Sequence, residues 1–246
     1  MARILVGQTV YGNAAQFVAN AAKYLTRSAI AATDNFTISL WAYLNVNNIA
    51  QDLFSNGAND GNGYSVRITS SGILQADIAF VANYNTSVVV TASAWHHIVL
   101  RRQSGTWQYF LDGSTAGGTA SNNPNSPGSF LTVGASRSSG GTVSRPANAN
   151  IDEVRFYTRA LSNGEILSLY NRGLNINSPD VDTANLSARW KLDESSGNAA
   201  DSSGNGLTLT NNGTVTFGTG IVQLSNVPAR QAAGSRTLAG ARTLAA

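Results

Sequence analysis

Two pairs of adjacent acids, Asp152-Glu153 and Asp193-Glu194, are the first residues whose chemistry is worth testing. Two carboxylates about 5 Å apart can divide the roles of acid and nucleophile in glycoside cleavage. Both pairs sit in stretches that alternate like strands, and neighbours on a strand point to opposite faces. Neither pair is therefore expected to act as a catalytic couple. His96-His97 fail the same test, since they cannot turn together onto one metal, and they read as sheet positions. No Ser-His-Asp pattern, P-loop or dinucleotide glycine fingerprint is present. Loop oxygens are better candidates. Asn59, Asp60 and Asn62 lie in the Gly-rich stretch 57–63, and Asp201 and Asn205 in a second polar loop. Such oxygens suit Ca²⁺, so Asp60, Asp201 and Asn205 are the expected metal ligands and calcium is the one cofactor left open. The same residue types are also ordinary turn formers. Trp41, Tyr43 and Tyr84 offer rings on which a sugar can stack, with Asn59, Asp60 and Asn62 as polar partners. The competing reading is that a loop or a second sheet covers those rings.

These residues must be positioned by sheet. Phe36–Leu44 (FTISLWAYL) alternates for nine residues, with Phe36, Ile38, Leu40, Ala42 and Leu44 on one face and Thr37, Ser39, Trp41 and Tyr43 on the other. Trp95–Arg102 and Trp107–Asp112 flank a short Gly-containing turn and read as a hairpin, as do Tyr64–Thr69 and Ile73–Phe80. Residues 16–26 predict strand, turn and strand; residues 114–128 and 135–149 read as loops. In Ala149–Tyr157 strict alternation places Ile151, Glu153, Arg155 and Tyr157 on one face and Asp152, Val154 and Phe156 on the other. One helix is predicted, Leu161–Arg172, with Ser162 and Glu165 as a capping box and Gly173 just past its end.

Composition agrees with a turn-rich β protein. The 246 residues include 24 Gly, only 12% are charged, and there is no cysteine, which removes disulfides and thiolate metal sites. The net charge of +3 is too small to argue for nucleic-acid binding. No apolar run approaches the length of a membrane span. The opening MARILVGQTVYG has too short an apolar run for a signal peptide.

Three segments in order, FTISLWAYL, WHHIVLRRQSGTWQYFLDG and ANIDEVRFYTRALSNGEILSLYNRG, resemble laminin G-like domains of the concanavalin A-like lectin/glucanase superfamily over about residues 14–173. The resemblance implies an all-β jelly-roll sandwich of two antiparallel sheets with one short helix near 162–172. Lectin-fold glucanases carry their acids at alternate positions of one strand, and no strand here does. A segment that family members usually carry before the first of these strands, WKLDESSGNAADSSGNG, here stands at 190–206, which resembles a circular permutation. Residues 187–225 are too few to hold a core of their own. They are expected to complete a sandwich spanning 1–228, within the chain or by strand exchange between protomers. Residues 229–246 repeat ARQAAG, SRTLAG, ARTLAA and read as a tail whose Arg230, Arg236 and Arg242 bind a partner.

The function expected on these grounds is a non-enzymatic structural or attachment module of a larger particle, such as a decoration or fibre protein of a phage virion. Its partners would be capsid or fibre subunits in a homo-oligomer, with no nucleic acid and no membrane insertion, and its location the virion or the extracellular space. The alternative is a lectin for cell-surface glycans, assisted by calcium.

Overall fold

The computed structural model describes residues 8–10, 12–32, 34–58, 61–78, 81–174 and 180–224. Strands are numbered in chain order. The front sheet has eight: β11 (Ser114–Ala120), β10 (Thr106–Leu111), β9 (Trp95–Gln103), β4 (Phe36–Leu44), β15 (Asn148–Tyr157), β2 (Asn13–Val18) and β18 (Thr216–Thr219) lie side by side, and β16 (Leu186–Trp190) pairs with the far end of β15. The back sheet has seven, in the order β17 (Thr210–Asn212), β3 (Tyr24–Ser28), β12 (Phe130–Val133), β5 (Gln51–Asn56), β6 (Tyr64–Ile68), β7 (Ile73–Ile78) and β8 (Ala82–Val89). Two small ribbons complete the set: β1 (Gln8–Val10) with β19 (Val222–Leu224), and β13 (Ser136–Arg137) with β14 (Val143–Ser144). All these pairings are antiparallel, so the fold is the expected jelly-roll sandwich.

Alternation explains the core. Phe36, Ile38, Leu40, Ala42 and Leu44 all point inward and are fully buried. Phe36 stacks on Tyr64 across the sandwich at 4.3 Å and meets Trp107 edge-on at 5.5 Å. The turn between β2 and β3 carries the chain from one sheet to the other, which is why a single short motif feeds both layers. The C-terminal segment enters both sheets in the same way: β16 pairs with β15, β17 with β3 and β18 with β2. Trp190 lies fully buried in the core, its indole N–H donating to Leu207 O at 2.7 Å. Strand β11 and the β13–β14 ribbon fall where the sequence reads as loop. Ser, Thr and Gly there carry no alternation, and β10 supplies the ladder that holds β11.

Helix α1 (Asn163–Leu174) covers part of the outer face of the front sheet. Its capping box forms as expected: Ser162 N donates to Glu165 Oε2 at 2.7 Å, and Glu165 N donates to Ser162 Oγ at 3.2 Å. Gly173 does not terminate the helix but lies within it. A Cβ there would fall 2.2 Å from Trp41 Cζ2, so this glycine is a close-approach residue. Ile166, Leu169 and Leu161 pack on Val99, Phe110 and Tyr157 of the sheet.

Candidate functional site

The outer face of the front sheet has a covered half and an open half. Under α1 the strands present Ser39, Trp41, His97, Asp152, Glu153, Arg155 and Arg189. Trp41 is buried, stacked on Tyr170 at 5.7 Å and tilted against His97 at 5.2 Å, so it offers no face to a ligand. Here β15 departs from strict alternation. Its register with β4 shifts between Asp152 and Arg155, and Glu153 adopts φ 48°. A left-handed residue at a register shift marks a bulge, with one extra residue in the strand. The consequence is that Ile151, Val154 and Phe156 point inward, while Asp152, Glu153, Arg155 and Tyr157 share the outer face. The expectation that Asp152 and Glu153 face opposite sides is therefore wrong.

The two acids nevertheless form no open carboxylate couple. Asp152 is 1% and Glu153 8% exposed. Burial pushes the Asp152 carboxyl well above the usual range, against the N–H groups of Ile221 and Glu153 that favour its anion. Glu153 accepts from Arg189 at 3.0 Å and Arg155 at 3.4 Å, and Arg155 also donates to Asp180 at 2.6 Å. His97 Nε2 lies 2.8 Å from Ser39 Oγ, while its Nδ1 has no partner. Burial lowers the His97 pKa to about 3, with Arg155 opposing protonation and Asp112 favouring it, so the ring is neutral. The void among these groups is about 20 Å³, far too small for a sugar.

The open half differs in kind. Cross-strand register sets Trp95 opposite Tyr43, Tyr43 opposite Asn150, Asn150 opposite Gln16, and Gln16 opposite Thr216. Residues directly opposite in a sheet share a face, so five strands carry one continuous row. Trp95, Tyr43, Asn150 and Gln16 are half-buried and Thr216 is exposed. The two rings sit 5.8 Å apart at 61°. One step outward lies a second row of Asn45, Asn148 and Val18. Asn45 Nδ2 donates to Asn148 Oδ1 at 3.0 Å, and Val18 is 56% exposed. Gly218 leaves room for the Gln16 amide to lie flat, since a Cβ there would come within 2.4 Å of Gln16 Nε2.

Of the residues singled out from sequence, the structure places Tyr43 alone in this row. Tyr84 is buried against Tyr109 at 5.5 Å, its hydroxyl donating to Gly118 O. Asn59 and Asp60 lie outside the described residues, as do Arg230, Arg236 and Arg242. Asn62 is half-buried in a loop next to Tyr64, which stacks on Phe36; Tyr43 stands seven residues further along β4, about 23 Å at strand rise. That loop and the row occupy opposite ends of the sandwich. Asp201 organises its own loop, accepting from Arg189 N, Ser203 N and Leu207 N. Burial raises its pKa, but these donors outweigh that and hold it below the usual range. Asn205 donates to Leu186 O and Ser187 O at 3.0 Å. Among the described residues no three His, Cys, Asp or Glu side chains group to hold a metal. Trp95, Asn150 and Gln16 carry no local signal in the sequence, because only cross-strand register brings them together.

No curated protein matches the chain in sequence. Among solved structures it is similar to a Bacteroides ovatus protein provisionally described as carbohydrate binding, with TM-score 0.64 and 18% identity over 86% of this chain and 60% of that one. It is also similar to the heptameric SAP-like pentraxin of Limulus polyphemus, with TM-score 0.52 and 14% identity over 66% of this chain and 83% of that one. The chain thus spans about 60% of the length of the Bacteroides structure. The family model described as concanavalin A-like lectin/glucanases superfamily matches residues 18–167, more than half of the chain. The chain belongs to the concanavalin A-like lectin/glucanases superfamily.

Proposed function

We propose that this protein is a non-catalytic glycan-binding module. The observation that carries the reading is the row Trp95–Tyr43–Asn150–Gln16 on the open half of the front sheet. A sugar has an apolar C–H face and a rim of hydroxyls. Rings flanked by amides match both, since the rings take the apolar face and the amides donate to and accept from the rim. Amides and rings on paired strands are held by the ladder and lose little freedom on binding. The description of the Bacteroides structure as carbohydrate binding agrees with this reading. The glycan reading is better supported than a role as a particle component, for which neither the site nor the comparisons offer support. Catalysis is not part of the proposal, because Asp152 and Glu153 are enclosed, the first held by backbone N–H groups and the second paired with arginines.

A glycan array with the purified chain, run with calcium and with chelator, tests the reading. Binding is expected in both conditions, because no row residue is an anionic ligand for a cation. Silence on every glycan, or binding unchanged by Tyr43→Ala and Trp95→Ala together, would overturn it. Release of reducing sugar from any bound polysaccharide would contradict the non-catalytic part.

A further inference from the structure

We infer that the ligand is a neutral glycan chain of about four units that crosses the strands and ends in a pocket at the β18 edge. This rests on the glycan-binding reading and adds length, charge and direction to it. Three observations carry it.

The first is span. From Trp95 to Thr216 the row crosses four strand spacings, about 19 Å at about 4.8 Å each. A pyranose unit repeats on a spacing close to that of paired strands, so the four spacings of the row take about four units.

The second is that the row does not stop at the sheet edge. Thr216 also lines a pocket of about 340 Å³ formed with Ser196, Asn198, Asn211 and Phe217. Its wall is preformed: Asn211 Nδ2 donates to Gly197 O and Val215 O at 2.9 Å, and Val215 N donates back to Asn211 Oδ1 at 2.8 Å. The half-buried Phe217 packs on the core and supplies the apolar floor. Strand β18 is the last of the front sheet on this side, so its outer ladder groups are available to hydroxyls.

The third is charge. Neither row carries a charged side chain, and none lines the pocket. A sugar carboxylate or sulfate desolvated there would lack the arginine fork or ammonium that such groups require. The arginines of this sheet face lie away from the row: Arg155 and Arg189 are committed to Glu153 and Asp180 beneath α1, and Arg101 donates to Leu161 O and Asn163 Oδ1 at the start of the helix.

Calorimetry with β1,4-gluco-, β1,4-xylo-, β1,4-manno- and α1,5-arabino-oligosaccharides of one to six units tests this, with 3′-sialyllactose as the acidic probe. Affinity in at least one series should rise with length to about four units and then level. Phe217→Ala should cost about tenfold on the tetramer, equivalent to about 1.4 kcal/mol, and leave the dimer unchanged. Because Phe217 also touches the core, the exposed Ser196→Trp, which fills the pocket from outside, should abolish the gain with length at an unchanged melting temperature. A flat ladder, preference for sialyllactose, or equal loss at every length would overturn the inference. If Tyr43→Ala still removes that flat binding, the glycan-binding reading survives; if no glycan of any kind binds, both fall.

Discussion

The two halves of one sheet face follow opposite rules. Under α1, the strands present Glu153, Arg155 and Arg189, closed off from water and paired with one another or with Asp180, beside a neutral His97 held by Ser39. Further along the same face β4, β15 and β2 present Tyr43, Asn150 and Gln16, neutral and half-open. Strand β15 carries both, with Asn150 on one side of the bulge and Arg155 on the other. Charge is confined to where a helix covers it and where each charge has a partner, as burial demands. The uncovered half has no charge to neutralise and keeps its hydrogen-bonding capacity for something else. In the proposed function the covered half holds α1 and the open half binds. Substitutions can therefore be sorted by which property they damage.

The largest effect is expected from Glu153→Ala. It strands Arg155 and Arg189 in a buried site with Asp180 as their remaining acid, and losing one partner of such a network costs about 3–5 kcal/mol. Urea unfolding should show that loss with glycan binding by the surviving folded fraction unchanged. A loss under 1 kcal/mol would mean that the network does not hold the helix.

Acid comes next. The His97 pKa is depressed in the folded state, so the unfolded chain takes up its proton first. Its contribution is present above about 6.5 and is lost as pH falls toward about 3, at about 1 kcal/mol per pH unit. Glu165, lowered to about 2 chiefly by its hydrogen bond with Arg159, adds a second loss that begins below about 4.5. Asp152, raised by burial, works in the opposite sense as pH falls, so the His97 share is read as the difference between the chain and His97→Gln from pH 7 to 3, which should grow in favour of the variant as pH drops below about 6.5. A pH profile identical in the two proteins would show that His97 does not drive the acid loss.

A smaller effect separates two readings of Gly173. In an ordinary helix interior Gly173→Ala would stabilise by about 1 kcal/mol. Here the new methyl meets Trp41, and overpacking of this kind costs about 1–3 kcal/mol. Net destabilisation is expected. A gain in melting temperature would show that α1 rides loosely on Trp41. The smallest change in stability is expected from Tyr43→Ala. Its ring is half-exposed, so unfolding should shift by about 1 kcal/mol or less, while binding is lost.

Much of this division is invisible in the sequence. The alternation of Phe36–Leu44 and the Ser162–Glu165 box are local patterns, and both appear in the structure as read. The bulge at Glu153 is not local: nothing in ANIDEVRFY announces an inserted residue, and strict alternation puts Asp152 and Glu153 on opposite faces. Gly173 followed a sound rule for helix ends that lost to the close approach of Trp41. Tyr43 could be picked as an exposed ring, but Trp41 two residues away looked equivalent until a helix distant in sequence covered it. The partners of Tyr43 are further off still. Asn150 meets Gln16 through pairing of β15 with β2, a register fixed by the whole sandwich and by no motif. The proposed site draws its amides and rings from five strands, which only topology brings together.

The most direct test of the open half as the binding face is a map of NMR chemical-shift changes on titration with the best-binding neutral tetrasaccharide. The account predicts that perturbations centre on the Trp95 indole N–H and the side-chain amides of Asn150, Gln16 and Asn45, and fade toward α1. Perturbations centred instead on the 57–63 loop, or on Asp201 and Asn205, would contradict it.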